Sequence, residues 1–249
     1  MNKKMSINVR KMAIIGMLGA VSAVLGMTPL GFIPIGPTRA TTMHIPVIIA
    51  AIMEGPMVGA LVGLIFGIFS IYQAVANPTP VSFVFLNPIV SIIPRILIGV
   101  FTYYVFSFLS NIGNKKTKWL LYLIWFGIIG YLFYGIYKEL IDFKSVWTIV
   151  FNMVLIFLSV TLAYFTIYKH KNMSYNLIIP AMVGTLTNTF GVLSSIYIFY
   201  GERFVEAMGG NIATTGKIIL GIGLTNGIPE TIIAIIVVTS VVGALKRNK

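Results

Sequence analysis

Residues 216–245, "GKIILGIGLTNGIPETIIAIIVVTSVVGAL", form thirty consecutive positions with only two charged side chains, Lys217 and Glu230. A helix of this composition has no polar face to show to water. It does match a bilayer, whose hydrocarbon core takes about 17–25 apolar residues at a rise of about 1.5 Å each. The pattern recurs along the chain near 12–29, 57–75, 84–110, 118–137, 146–168 and 174–199, with a shorter run at 43–54. In lipid only a helix or a closed barrel satisfies every backbone group. A barrel would show segments of about ten residues with alternating hydrophobicity, whereas these runs are continuous. Composition agrees: the chain is 57% hydrophobic and 10% charged, against about 25% charged in a soluble domain. The expected fold is all-α, a polytopic helical membrane protein of about eight spans in a single integral membrane domain, 1–249. Runs 43–54 and 57–75 read as a helical pair broken at Glu54-Gly55-Pro56, since Gly-Pro interrupts helices.

The net charge of +12 is a topology signal. Lysine and arginine collect in cytoplasmic loops near span ends. Lys3, Lys4, Arg10 and Lys11 precede the first span; Lys115, Lys116 and Lys118 follow the fourth; Lys169 and Lys171 follow the sixth; Lys246, Arg247 and Lys249 end the chain. Eight spans put all four clusters on one face, so both termini are expected to be cytoplasmic, and nucleic-acid binding is set aside. The N-terminal MNKK mimics a signal peptide, but no soluble domain follows a cleavage site, and the first segment is kept as a span. The opposite face carries the Gly/Pro-rich loops 30–42, 76–83 and 200–216, candidates for lids.

Ionisable side chains inside a bilayer are costly, about 2.5–3.5 kcal/mol on insertion scales, and so point to function. Arg95 lies in the fourth span and Glu230 in the eighth, one turn beyond Asn226. "GTLTNTFG" in the seventh holds Thr185, Thr187 and Asn188, and His44 opens the second after Thr42. Counted along their helices, Arg95, Asn188, Asn226 and Glu230 fall in one layer between the outer surface and the midplane, with His44 shallower. Two readings stand: one pocket, or a structural Arg95–Glu230 pair with Asn188 as interhelical glue and Asn226 capping a break before Pro229. Gly59, Gly63 and Gly67 leave one helix face bare for close packing, as do Gly16 with Ala20 and Gly19 with Ala23 in the first span.

Enzymatic constellations are missing. The sequence has no GxxxxGK[ST] phosphate loop and no HExxH, and no cysteine. Asp142 is the only aspartate, which leaves no acidic cluster for metal-held diphosphates. His170 sits in a basic loop. Neither catalysis, a metal nor a cofactor is expected.

Three blocks, "TTMHIPVIIAAIMEGPMVGALVGLIFG" at 41–67, "GTLTNTFGVLSSIYIFYG" at 184–201 and "NGIPETIIAII" at 226–236, with "FLNPIVSIIPRILIGVFTYY" at 85–104, resemble the S component of energy-coupling factor (ECF) vitamin transporters. They look most like the pantothenate-type members. The resemblance implies a six-helix core that captures a small vitamin from outside. Its implied partners are a transmembrane coupling subunit and two cytoplasmic ATPase subunits. It also implies a small-residue face on the first helix that meets the coupling subunit: Gly16 and Ala20, or alternatively Gly19 and Ala23. The candidate substrate contacts are Thr42, His44, Asn87, Arg95, Thr187, Asn188, Asn226 and Glu230. Arg95 offers a fork for a carboxylate, and Asn188 and Asn226 can read hydroxyl and amide groups. The chain departs from the six-span pattern at 113–173, which reads as an inserted transmembrane hairpin. An independent secondary carrier is the alternative, although neither inverted repeats nor several intramembrane carboxylates are evident.

Overall fold

The computed structural model describes residues 8–35, 38–142 and 175–247, with 153, 156, 157, 159–161 and 164 between them. The chain divides into two compact units, one of Met1–Phe108 with Leu177–Lys249, the other Leu109–Asn176. Six helices among the described residues are long and apolar enough to cross a membrane: Val9–Met27, Pro56–Ala76, Pro88–Ile112, Trp119–Tyr137, Ile178–Ala207 and Ile212–Leu245. The expected span at 146–168 falls mostly outside the described residues.

In the first unit, α1 (Val9–Met27) leads into a short antiparallel hairpin of β1 (Phe32–Ile35) and β2 (Thr38–Thr41), in which Phe32 faces Thr41 and Ile35 faces Thr38. α2 (Ile45–Glu54) returns, and α3 (Pro56–Ala76) follows at once. A 3-10 segment at Ser82–Leu86 precedes α4 (Pro88–Ser91) and α5 (Ile93–Ile112). The second unit holds α6 (Asn114–Asp142). The first unit resumes with α7 (Ile178–Ala207) and α8 (Thr215–Arg247).

The run 43–54 gives a helix of ten residues, about 15 Å long, so it is half a span where a full one was counted. Arg10 Nη2 lies 2.8 Å from Glu54 Oε1, which sets the end of α2 level with the start of the 19-residue α1. The difference in length is made up by the hairpin, which enters the bundle to meet the N-terminus of α2. Every residue of α2 from Ile45 to Ile52 is buried, and a helix apolar all round belongs at the centre of a fold.

Glycine draws the surrounding helices together. A Cβ on Gly59 would come within 3.0 Å of Gly99 Cα, one on Gly63 would collide with the Arg95 carbonyl, and one on Gly67 would lie 2.7 Å from the Ser91 carbonyl oxygen. The contacts step four residues at a time in opposite directions, so α3 lies antiparallel against α4 and α5 along its bare face. On the other side of α5, Gly184 packs against Thr102 and Ile48, and Gly191 against Pro94. Arg95 is thereby carried on a helix clamped between α3 and α7. α7 and α8 run side by side, with Gly223 against Leu193 and Gly227 against Thr189.

Several expectations are corrected. The loop 30–42 contains the hairpin, and α7 continues through the expected loop as far as Ala207. α8 is unbroken through Pro229, so Asn226 caps no break: the packed wall of α7 holds the helix together around a missing N–H.

Candidate functional site

The hairpin, α2, α5, α7 and α8 bring polar side chains together around the N-terminal end of α2. His44 is completely buried, and its Nε2 lies 3.0 Å from Thr185 Oγ1. The Thr185 hydroxyl donates to the Ala181 carbonyl at 2.9 Å, which leaves its oxygen to accept from the imidazole N–H. Spacing along the sequence made His44 the shallowest member of the set. Because α2 is short, His44 instead reaches Thr185, a full turn further from the hairpin end of α7 than Thr189.

Thr189 marks the level of Glu230. The Thr189 hydroxyl donates to Glu230 Oε2 at 2.9 Å, and the backbone N–H of Thr41, at the end of β2, donates to Oε1 at 2.7 Å. Glu230 is 4% exposed, and hydrogen bonds to a carboxylate are the strong kind. Arg95 is 5% exposed. Its Nη1 donates to the Val90 carbonyl, and its guanidinium carbon lies 5.3 Å from the centre of the Phe66 ring and 5.9 Å from that of Phe85, within cation–π range. Arg95 and Glu230 do not approach within 4.0 Å, and the one salt bridge among the described residues is Arg10–Glu54. The two charges do not form the contact ion pair that the second sequence reading allowed.

Six buried side-chain atoms among the described residues lack a hydrogen-bond partner: His44 Nδ1, Arg95 Nε, Thr102 Oγ1, Trp125 Nε1, Asn176 Oδ1 and Asn188 Oδ1. His44 Nδ1, Arg95 Nε and Asn188 Oδ1 belong to the polar residues gathered here. Buried polar groups are nearly always paired, and an orphan is a place where another molecule is expected. Arg95 Nε is a cationic donor and Asn188 Oδ1 an acceptor.

Of the remaining expected contacts, Thr42, Asn87 and Thr187 make hydrogen bonds within the chain. Thr42 Oγ1 donates to the Leu30 carbonyl at 2.9 Å. Asn87 caps α4, its Oδ1 accepting from Ile89 N at 2.9 Å and its Nδ2 donating to the Tyr200 hydroxyl at 3.2 Å. Thr187 bonds back to the Val183 carbonyl at 2.7 Å, and at about 100° per residue it is turned away from Thr185 and Thr189. Asn226 is half-buried, one turn from Glu230 on α8. Four contributors were not singled out from the sequence: the Thr189 hydroxyl, the Thr41 backbone, Phe66 and Phe85. Thr189 was within reach, being four residues after Thr185 and hence on its face.

The small-residue faces of α1 are also separated. A Cβ on Gly19 would lie 2.6 Å from Ile65 Cδ1, and Ala23 is half-buried, so this pair faces inward onto α3. A Cβ on Gly16 would meet nothing within 4 Å, and Ala20 is exposed.

Such a molecule is of a definite class: a multi-pass helical membrane protein whose buried polar layer holds an arginine and a glutamate apart. Residues 10–141 match the ECF transporter substrate-specific component family, and the chain belongs to that family. It is a transport protein and not an enzyme. Over 228 residues it is 26% identical to the pantothenic acid transporter PanT of Lactococcus lactis subsp. cremoris (strain MG1363), covering 86% of this chain and 81% of that protein. Over 97 residues it is 36% identical to the pantothenate transporter PanT of Leuconostoc mesenteroides subsp. mesenteroides, covering 39% of this chain and 42% of that one.

Proposed function

We propose that the chain is the pantothenate-binding S component of an ECF-type vitamin uptake transporter in the cell membrane. In this reading both termini are cytoplasmic, as the lysine and arginine distribution requires, and the hairpin end of the bundle faces outward. The observation that carries the substrate assignment is that Arg95 Nε and Asn188 Oδ1 are both buried without a partner. A ligand with a carboxylate at one end and N–H or O–H donors behind it satisfies both. Pantothenate has a carboxylate, an amide and two hydroxyls, and the names of the two relatives agree with it. The flanking rings of Phe66 and Phe85 exclude water from the guanidinium and strengthen its attraction for an anion. His44 and Thr185 make the floor, and Asn226 is placed to read a polar group from α8.

Delivery is assigned to the partners that the family supplies, a membrane coupling subunit and two ATPases. The open Gly16/Ala20 face of α1 is the contact for the coupling subunit, because small residues let two helix backbones approach. The segment 113–173 is read from its sequence as an inserted transmembrane hairpin.

Titration of the purified protein with pantothenate, without ATP, tests the reading. Saturable binding is expected, and Arg95→Ala should weaken it by about 100-fold or more, because it removes a desolvated charge–carboxylate contact. Binding of other B-vitamins but not pantothenate would overturn the substrate. Gly16→Leu is expected to abolish uptake in cells and leave binding intact. Uptake persisting in cells that lack the coupling and ATPase subunits would favour an independent carrier.

A further inference from the structure

We propose that Glu230 is a positioning residue and not a ligand contact: its carboxylate latches the root of the β1–β2 hairpin to α7 and α8, and so sets how fast the ligand enters and leaves. The inference deepens the functional reading above and rests on it.

Both carboxylate oxygens are already engaged by donors of the chain itself, Oε1 by Thr41 N–H at 2.7 Å and Oε2 by Thr189 Oγ1 at 2.9 Å. Thr41 is the last residue of β2 and pairs with Phe32, the first of β1, so the bond holds both strands where they leave the bundle. Immediately beyond it the chain is held independently: Thr42 Oγ1 donates to the Leu30 carbonyl at 2.9 Å, and Ser22 Oγ of α1 to the Met43 carbonyl at 3.0 Å. Thr41 is therefore the point where a fixed segment gives way to the hairpin. The latch joins it to a helix 189 residues away in sequence. A buried backbone N–H needs a partner, and a carboxylate is the strongest acceptor available. With its oxygens so used and Arg95 beyond contact distance, Glu230 is the fastening of the cover, and Arg95 and Asn188 hold the ligand-directed atoms.

Hydrogen–deuterium exchange at the Thr41 amide reads the latch directly in ligand-free protein, and stopped-flow kinetics with pantothenate read its consequence. In Glu230→Ala the Thr41 amide should exchange roughly tenfold faster or more, and pantothenate should both associate and dissociate faster, its dissociation by roughly tenfold. Glu230→Gln keeps an oxygen that can accept from Thr41 N–H, so it should recover most of the protection and slow exchange. Thr189→Val leaves the Thr41 bond in place and should stay within about threefold of wild type in both measurements. Should Glu230→Ala fail to fold, Glu230→Met fills the same space without accepting and replaces it. Thr41 exchange unchanged by loss of the carboxylate would overturn the latch; so would faster exchange with both ligand rates unmoved. If the wild-type protein binds no pantothenate, the functional reading fails, while the exchange at Thr41 still decides for or against the latch.

Discussion

Two segments close the hairpin end of the first unit, and they are held by opposite means. The β1–β2 hairpin is fastened at its root by a hydrogen bond to a buried carboxylate on α8. The 3-10 segment Ser82–Leu86 is fastened by burial: Val84 is completely enclosed in a cluster with Val90, Val192, Ile196, Phe204, Val205 and Ile219, and Phe83 and Phe85 pack against it. Its polar bonds, from Ser91 Oγ to the Phe85 carbonyl at 2.5 Å and from Asn87 to Tyr200, secure a chain that packing already holds. An apolar anchor is lost gradually and only by parting the helices. A hydrogen bond to one carboxylate lets go within a few tenths of a nanometre and can form again. Segments that move are drawn from the less stable parts of a fold, and the contrast agrees with the proposal above, in which the hairpin moves and Ser82–Leu86 supports it.

The sharpest way to break this contrast is Val84→Asp. It places a carboxylate among six apolar side chains with no donor to meet it, and a cost of about 3 kcal/mol or more is expected. The protein should melt earlier in detergent and lose pantothenate binding altogether, which differs in kind from the faster exchange expected of Glu230→Ala. If Val84→Asp folds as well as wild type and alters only ligand rates, Ser82–Leu86 is a second movable cover and the distinction fails. Asn87→Ala comes next. It removes the cap of α4 and the Tyr200 bond, worth about 1 kcal/mol together. The melting temperature should fall by about 2–4 °C, with the rates of pantothenate binding unchanged. A change in those rates without a change in melting would move Asn87 back among the ligand contacts.

The same contrast shows which parts of the molecule could be read from sequence. Length and unbroken apolar composition revealed the helices, because a helix with no polar face and a self-satisfied backbone suits lipid. The Gly59/Gly63/Gly67 stripe could be read as a packing face because glycine at every fourth position has few other uses. The partner of that face, the backbone of α5 around Arg95, could not, since nothing in α3 states which helix will lie on it. Arg95, Asn188 and Glu230 stood out because polar groups in a membrane are rare. What each does depends on partners distant in the chain. Glu230 is tied to the Thr41 backbone, and a backbone N–H leaves no mark on a sequence. His44 was misjudged for a related reason: its depth is set by the length of α2 and the dip of the hairpin. Which of Gly16/Ala20 and Gly19/Ala23 lies open likewise depends on the way α1 is rotated, and Gly19 is the one turned onto Ile65 of α3.

The smallest expected effect concerns Arg203, whose guanidinium carbon lies 4.3 Å from the centre of the Phe83 ring. On its face this is a clamp on the second cover, equivalent to what Glu230 does for the hairpin. The physical difference is solvent. Arg203 is exposed, and an exposed cation–π contact contributes about 0.5–1 kcal/mol, whereas Glu230 is almost completely enclosed. Phe83 also has the Tyr200 ring edge-on at 5.8 Å and the Val84 cluster beside it. Arg203→Ala should therefore lower the melting temperature by no more than about 2–4 °C and leave both ligand rates alone. Arg203→Lys should be nearly silent. A loss comparable to that of Val84→Asp would mean that charge rather than packing holds Ser82–Leu86, and the two covers would then be fastened by the same principle.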